Sequence, residues 1–205
     1  MVLSMQKHLI YTLIILSLAI IIASIKPLYW QSYLLHQFGT IVLIMPMVYL
    51  FVKHKISTTS LYAMTVFLLL HISGAKWSYS YVPYDDWSMA MFGISISETF
   101  NFNRNMYDRV VHFGYGLFLY PLIYDLIKHS FKQNSHRQLI FIVLMVNMAS
   151  SMLYELFEWG LAITLSEQDA ENYNGQQGDM WDAHKDMGLA LIGAVITSLI
   201  YPKKT

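Results

Sequence analysis

The chain has 205 residues, of which 56% are apolar and only 13% charged, about half the ~25% charge of an ordinary soluble domain, so it lacks the polar cover a water-facing fold needs. Thirteen basic and thirteen acidic residues give a formal net charge of +0, which excludes the basic footprint of a nucleic-acid partner. Cysteine is absent, which excludes disulfides and thiolate metal sites.

A bilayer core takes roughly 20 apolar residues of helix, and windows of that kind recur along the chain. They predict an all-α, polytopic membrane protein of about six transmembrane helices in one bundle, with 1–205 read as a single transmembrane domain. The first apolar run follows Lys7 and His8 and is longer than the h-region of a signal peptide. The segment after it, Lys26-Pro27-Leu28-Tyr29-Trp30, lacks a small-x-small cleavage pattern. It is read as a retained first helix over 8–26. A second span follows at 33–52 and a third at 58–75. The third is the least apolar, opened by Ser57, Thr58, Thr59 and Ser60 and interrupted by His71.

A long polar connection then runs over 76–105, holding Pro83, Asp85, Asp86, Glu98 and the aromatic stretch from Trp77 to Tyr81. The fourth span is predicted at 106–128 and the fifth at 138–164. A second polar connection, 165–180, leads into the sixth span at 183–201. Connections of this length are commonly functional or disordered. Trp159 and Trp181 read as interfacial anchors.

With six spans, Lys7, Lys53, Lys55, Lys128, Lys132, Arg137, Lys203 and Lys204 share one side, and Lys26, Lys76, Arg104, Arg109 and Lys185 the other. Basic residues favour cytoplasmic loops, so both termini are expected inside. The acids divide far less evenly. Asp125 alone falls at the cytoplasmic end, and the other twelve lie in the outer loops or the helix segments feeding them. Acids contribute little to topology, so their clustering calls for another cause.

Asp108 and His112 are four residues apart on the fourth span and share a helix face. Glu155 and Glu158, three apart, share a face of the fifth. Asp179, Asp182 and Asp186 form a stripe on the sixth if that helix begins by Asp179. At ~1.5 Å of rise per residue, His112, Glu155, Glu158 and Asp186 reach similar depths below the outer surface. Carboxylates at membrane depth cost several kcal/mol unless paired or hydrated, so they are expected around a wet pocket open to the outside. Oxygen-rich groups with an imidazole suit Mg²⁺, Mn²⁺, Ca²⁺, Zn²⁺ or iron. The candidate metal ligands are His112, Glu155, Glu158, Asp182 and Asp186. Asp108 and Glu155 are the candidate catalytic groups, Asp108 orienting His112 or acting as base. The alternative structural account pairs Asp108 or Asp182 with Arg109, Lys185 or His184.

Three segments carry a family likeness: Tyr107-Asp108-Arg109-Val110-Val111-His112-Phe113-Gly114, Tyr154-Glu155-Leu156-Phe157-Glu158-Trp159, and Gly178-Asp179-Met180-Trp181-Asp182-Ala183-His184-Lys185-Asp186. Together they resemble the YjdF-type bacterial inner membrane proteins. That resemblance implies a multi-pass protein of the bacterial inner membrane and leaves its activity undefined. A more distant similarity is to VanZ-like proteins, at Asp108, His112, Phe113, Glu155, Asp186 and Gly193; Glu158 and Asp182 depart from that pattern.

Three functions are therefore expected to compete. One is divalent-cation binding in a periplasm-facing pocket, with a metal-assisted step on an envelope lipid or cell-wall precursor. The second is cation or proton-coupled transport through the same carboxylates. The third is an interaction or assembly role in the bilayer without catalysis.

Overall fold

The computed structural model describes residues 2–131 and 135–201; Lys132, Lys203 and Lys204 of the charge count lie outside them. Nine helices and no strand occur among the described residues: α1 (Val2–Ala23), α2 (Trp30–Val52), α3 (Thr58–Lys76), α4 (Tyr84–Phe92), α5 (Ile96–Thr99), α6 (Tyr107–Ser130), α7 (His136–Thr164), α8 (Glu167–Asn174) and α9 (Asp182–Ile200). Six of them, α1, α2, α3, α6, α7 and α9, are long and apolar enough to cross a membrane. They match the six expected spans, although α1 begins well before 8.

The helix ends follow from local chemistry. The Ser57 side chain accepts from the Ser60 amide at the start of α3, and Ser135 forms a capping box with Gln138 at the start of α7. Each such cap satisfies amides that have no partner within the helix. Asp125 of α6 also accepts from the Ser57 amide at 2.8 Å and the Ser60 hydroxyl at 2.5 Å. This carboxylate ties the start of α3 to the end of α6.

The two polar connections are not structureless. Ser95 caps α5, Ser166 caps α8, and Gly93 and Gly175 end α4 and α8 in the left-handed conformation. That conformation favours glycine because it has no Cβ.

Burial orders the bundle. In α3 and α6, 56% of the apolar window is buried, against 11% in α1. α1 is thus a lipid-facing helix, with Ile10, Ile14, Leu18 and Ile21 exposed. The third span, weakest by sequence, is the centre of the scaffold. Leu61, Met64, Leu68 and Ile72 of α3 form the core with Tyr120 and Tyr124 of α6. Serines and a histidine lower the apolarity of α3 because it faces protein rather than lipid.

α6 and α9 pack backbone to backbone. A Cβ at Gly116 would lie 1.8 Å from the Ala190 carbonyl oxygen, and one at Gly193 would lie 2.3 Å from that of Phe113. Small residues permit this approach in a membrane. It brings Asp108 and His112 of α6 against Asp186 of α9.

Candidate functional site

Asp108, His112, Glu155, Glu158, Asp182 and Asp186 are all buried, Asp186 to 1% exposure. α6, α7 and α9 carry them to the end of the bundle that holds α4, α5 and α8. The ligand-capable atoms of Asp108, His112 and Asp186 lie within 4.8 Å of one another. His112 Nε2 is 3.5 Å from Asp108 Oδ1, and Nδ1 is 3.7 Å from Glu155 Oε1. Neither distance is a hydrogen bond. Both ring nitrogens nonetheless face carboxylates. Glu155 Oε1 and Asp186 Oδ1 are buried without a hydrogen-bond partner. Glu158 lies beside Glu155 and Tyr154.

The remaining acids are held by cations. Arg109 Nη2 donates to Asp182 Oδ1 at 2.6 Å and to Asp179 Oδ2 at 3.1 Å. Its Nη1 lies 2.5 Å from Asp186 Oδ2. Arg104 donates to the same Asp182 oxygen at 2.6 Å. The pairing expected between Asp182 and Arg109 is thus present, whereas among the described residues Asp108 forms no salt bridge with Arg or Lys. Asp182 Oδ1 accepts from two guanidinium groups, so Asp182 sits in the arginine clamp and not with the 4.8 Å group.

Asp179 does not lie on the last helix, which starts three residues later, but the turn before α9 returns it to the same cluster. Its carboxylate accepts from Lys185 Nζ at 2.6 Å and from the Trp181 amide at 3.0 Å. These two donors, Lys185 first, hold its pKa at about 2 against an ordinary 3.8. The clamp therefore keeps its full strength above about pH 4 and loses it as pH falls towards 2. Carboxyl NMR of Asp179 is expected to titrate near 2, and a midpoint near 3.8 would contradict the clamp.

Arg104 was counted only for topology in the sequence, yet it closes the site. Besides Asp182, it donates to the carbonyls of Gly175 and Gln176 at 2.9 Å each. Asn105 and Gln177 exchange bonds at 2.9 and 3.1 Å. The turn after α8 is thus pinned across the arginine side of the cluster. No local signal marks this role, because its partner Asp182 lies 78 residues away in the chain.

His71 has a structural task. Its Nε2–H donates to the His36 carbonyl, so Nδ1 accepts from Tyr79 Oη at 2.5 Å. The His36 ring is stacked between Tyr79 and Tyr173, at 4.9 and 4.1 Å. This network joins α2, α3 and α8 beside the site.

Charge decides what the site requires. Five buried carboxylates (Asp108, Glu155, Glu158, Asp182 and Asp186) face the guanidinium groups of Arg104 and Arg109. Full ionisation would leave three negative charges uncompensated inside the bundle. Such a surplus at membrane depth must be met by a cation or by protons.

Comparison with known proteins places the chain. The family model described as "Predicted membrane protein (DUF2238)" matches residues 8–203. The inner membrane protein YjdF of Escherichia coli (strain K12) is 32% identical over 124 residues, 60% of this chain. The match covers 55% of that relative, so the chain spans about half the length of the curated protein it resembles. No solved structure matches the chain. With six spans, an all-helical bundle and a family match over nearly its whole length, this chain belongs to the DUF2238 family of multi-pass membrane proteins.

Proposed function

We propose that this protein lies in the bacterial inner membrane with its acidic end facing the periplasm and both termini in the cytoplasm. There it binds a divalent cation through Asp108, His112 and Asp186, for a metal-assisted step on an envelope lipid or cell-wall precursor. The observation that carries this reading is the convergence of those three buried residues within 4.8 Å. Atoms bound to one ion at ~2.0–2.6 Å can lie no farther apart than about that. The unpaired Asp186 Oδ1 is available to such an ion, while Arg109 holds Oδ2.

Two carboxylates and one imidazole suit Mn²⁺, Fe²⁺ or Zn²⁺ better than Ca²⁺, which takes roughly six to eight oxygens. A bound cation of this kind polarises a phosphoryl or carbonyl oxygen and acidifies water. Glu155, buried and unpaired at Oε1, is the group placed to take a proton there. Glu158 would supply further negative charge. Arg109 fixes the rotamer of Asp186, and Arg104 keeps the turn at 175–177 across the clamp.

A lipid substrate is favoured by a crevice of about 620 Å³ between the start of α2 and α8. Leu28, Trp30, Leu35 and Leu165 supply an apolar wall, and Asn172 and Tyr173 a polar one. Tyr173 also meets Phe157 of α7 edge-on, so the crevice adjoins the helix that carries Glu155.

Calorimetric titration of the purified protein with Mn²⁺ tests the reading. Wild type is expected to bind, and Asp108→Asn to bind at least roughly tenfold more weakly. Affinity is also expected to weaken as pH falls, because protons compete for the ligands. Equal and negligible heats from both proteins would overturn it.

A further inference from the structure

A second recess lies at the other end of α6 from the acidic cluster. The rise along α6 from Asp108 to Lys128 is about 30 Å, close to the thickness of a bilayer's hydrocarbon core. There the turn between α2 and α3 meets the last turns of α6 around a cavity of about 430 Å³. His54, Lys55 and Ser57 line it from the turn, and Asp125, Lys128 and His129 from α6. The two walls are fixed to each other, because Asp125 Oδ2 accepts from the Ser57 amide and the Ser60 hydroxyl. The end of α2 is fixed as well. The His54 and Lys55 amides donate to the carbonyls of Phe51 and Leu50 at 3.0 and 2.9 Å, the two bonds of a Schellman cap. His54 takes the left-handed conformation of that cap, with φ 56°, which glycine would hold without strain. An imidazole thus stands at the cavity where the backbone conformation favours glycine.

We propose that this recess binds a phosphate-bearing anion, the headgroup of an anionic phospholipid, through Lys55 and Lys128, with His54 and His129 at its rim. Charge supports such a ligand. Four basic side chains line the recess with one acid, and that acid already accepts two hydrogen bonds from the start of α3. A bias of Lys and Arg to one side of the membrane sets orientation but does not require them to gather at a cavity. Lys7, Lys53 and Arg137 meet that bias from exposed positions, whereas Lys55 and Lys128 are half-buried. An ammonium group is a compact charge with three donors, suited to phosphate oxygens, and an imidazole N–H can donate beside it. Position favours a lipid over a soluble ion. Basic pockets between membrane helices at headgroup level take anionic lipids. Val52 and Phe131, 54% and 53% exposed, border the two lining segments and offer apolar surface to acyl chains. The site is independent of the acidic cluster and of the cation proposed there.

Native mass spectrometry of the full chain in detergent, at fixed ionic strength, tests this with phosphatidylglycerol, phosphatidylcholine and inorganic phosphate as probes. Wild type is expected to bind phosphatidylglycerol about tenfold more tightly than phosphatidylcholine of the same chain length, the effect of two lysines near one headgroup. Lys55→Gln/Lys128→Gln is expected to lose that preference. Lys53→Gln/Arg137→Gln removes the same charge from exposed positions on the same side and should keep it. Only variants that elute as wild type on size exclusion are scored. Lys55→Gln alone, with an expected loss of about fivefold, provides the decisive comparison if the double variant fails to fold. No preference in wild type, an unchanged preference in the recess variants, or an equal loss in both double variants would overturn the site. Displacement of the lipid by inorganic phosphate at equal concentration would overturn the lipid as its ligand.

Discussion

Arg109→Leu is expected to destabilise the protein by about 3–5 kcal/mol, the usual cost of stranding a buried charge by removing its partner. Arg109 reaches three carboxylates: Asp179, Asp182 and Asp186. Leucine fills much of the same volume, so the loss reads charge rather than packing. At roughly 2–4 °C per kcal/mol for a chain of this size, the melting temperature in detergent should fall by about ten degrees. Adding Asp182→Asn should recover part of that loss, because one stranded charge is removed. A single variant that melts with wild type would show that the clamp carries no net stability.

Gly116→Ala is expected to be comparably severe. The new methyl would lie 1.8 Å from the Ala190 carbonyl oxygen and 2.8 Å from the Ala194 amide nitrogen. Both are backbone atoms of α9 and cannot rotate away. Overpacking ordinarily costs about 1–3 kcal/mol, and a rigid backbone contact puts this substitution at or above the top of that range. Relief requires α6 and α9 to separate, which moves Asp108 and His112 away from Asp186. Cation binding should therefore fall even in the folded fraction. Gly39→Ala and Gly160→Ala, where nothing lies within 4 Å, are the controls and should leave both readouts near wild type. Thermal melts paired with Mn²⁺ titrations check this; an unchanged melt for Gly116→Ala would contradict the close packing.

The spans were legible because a bilayer imposes length and apolarity on each helix separately. Counting rise per residue also brought His112, Glu155 and Asp186 to one level, as observed. Other features depended on partners distant in sequence. Nothing local distinguishes Asp186, next to His112, from Asp182, held by Arg104 and Arg109. Asp108 reads as a group that orients His112 or acts as base, and it lies with His112 and Asp186 in the set within 4.8 Å. The short helices in the polar connections were missed because they lack an apolar stripe. Their caps were nonetheless visible, as Ser95 three residues before Glu98 and Ser166 three before Asp169.

The carboxylate/His cluster between α6, α7 and α9 is proposed to hold a divalent cation. Anomalous diffraction from crystals grown with Mn²⁺ tests this most directly. One strong peak is expected within about 2.0–2.6 Å of Asp108, a ring nitrogen of His112 and Oδ1 of Asp186. A manganese-soaked crystal with no peak there, and with Arg109 and ordered water meeting every carboxylate, would contradict it.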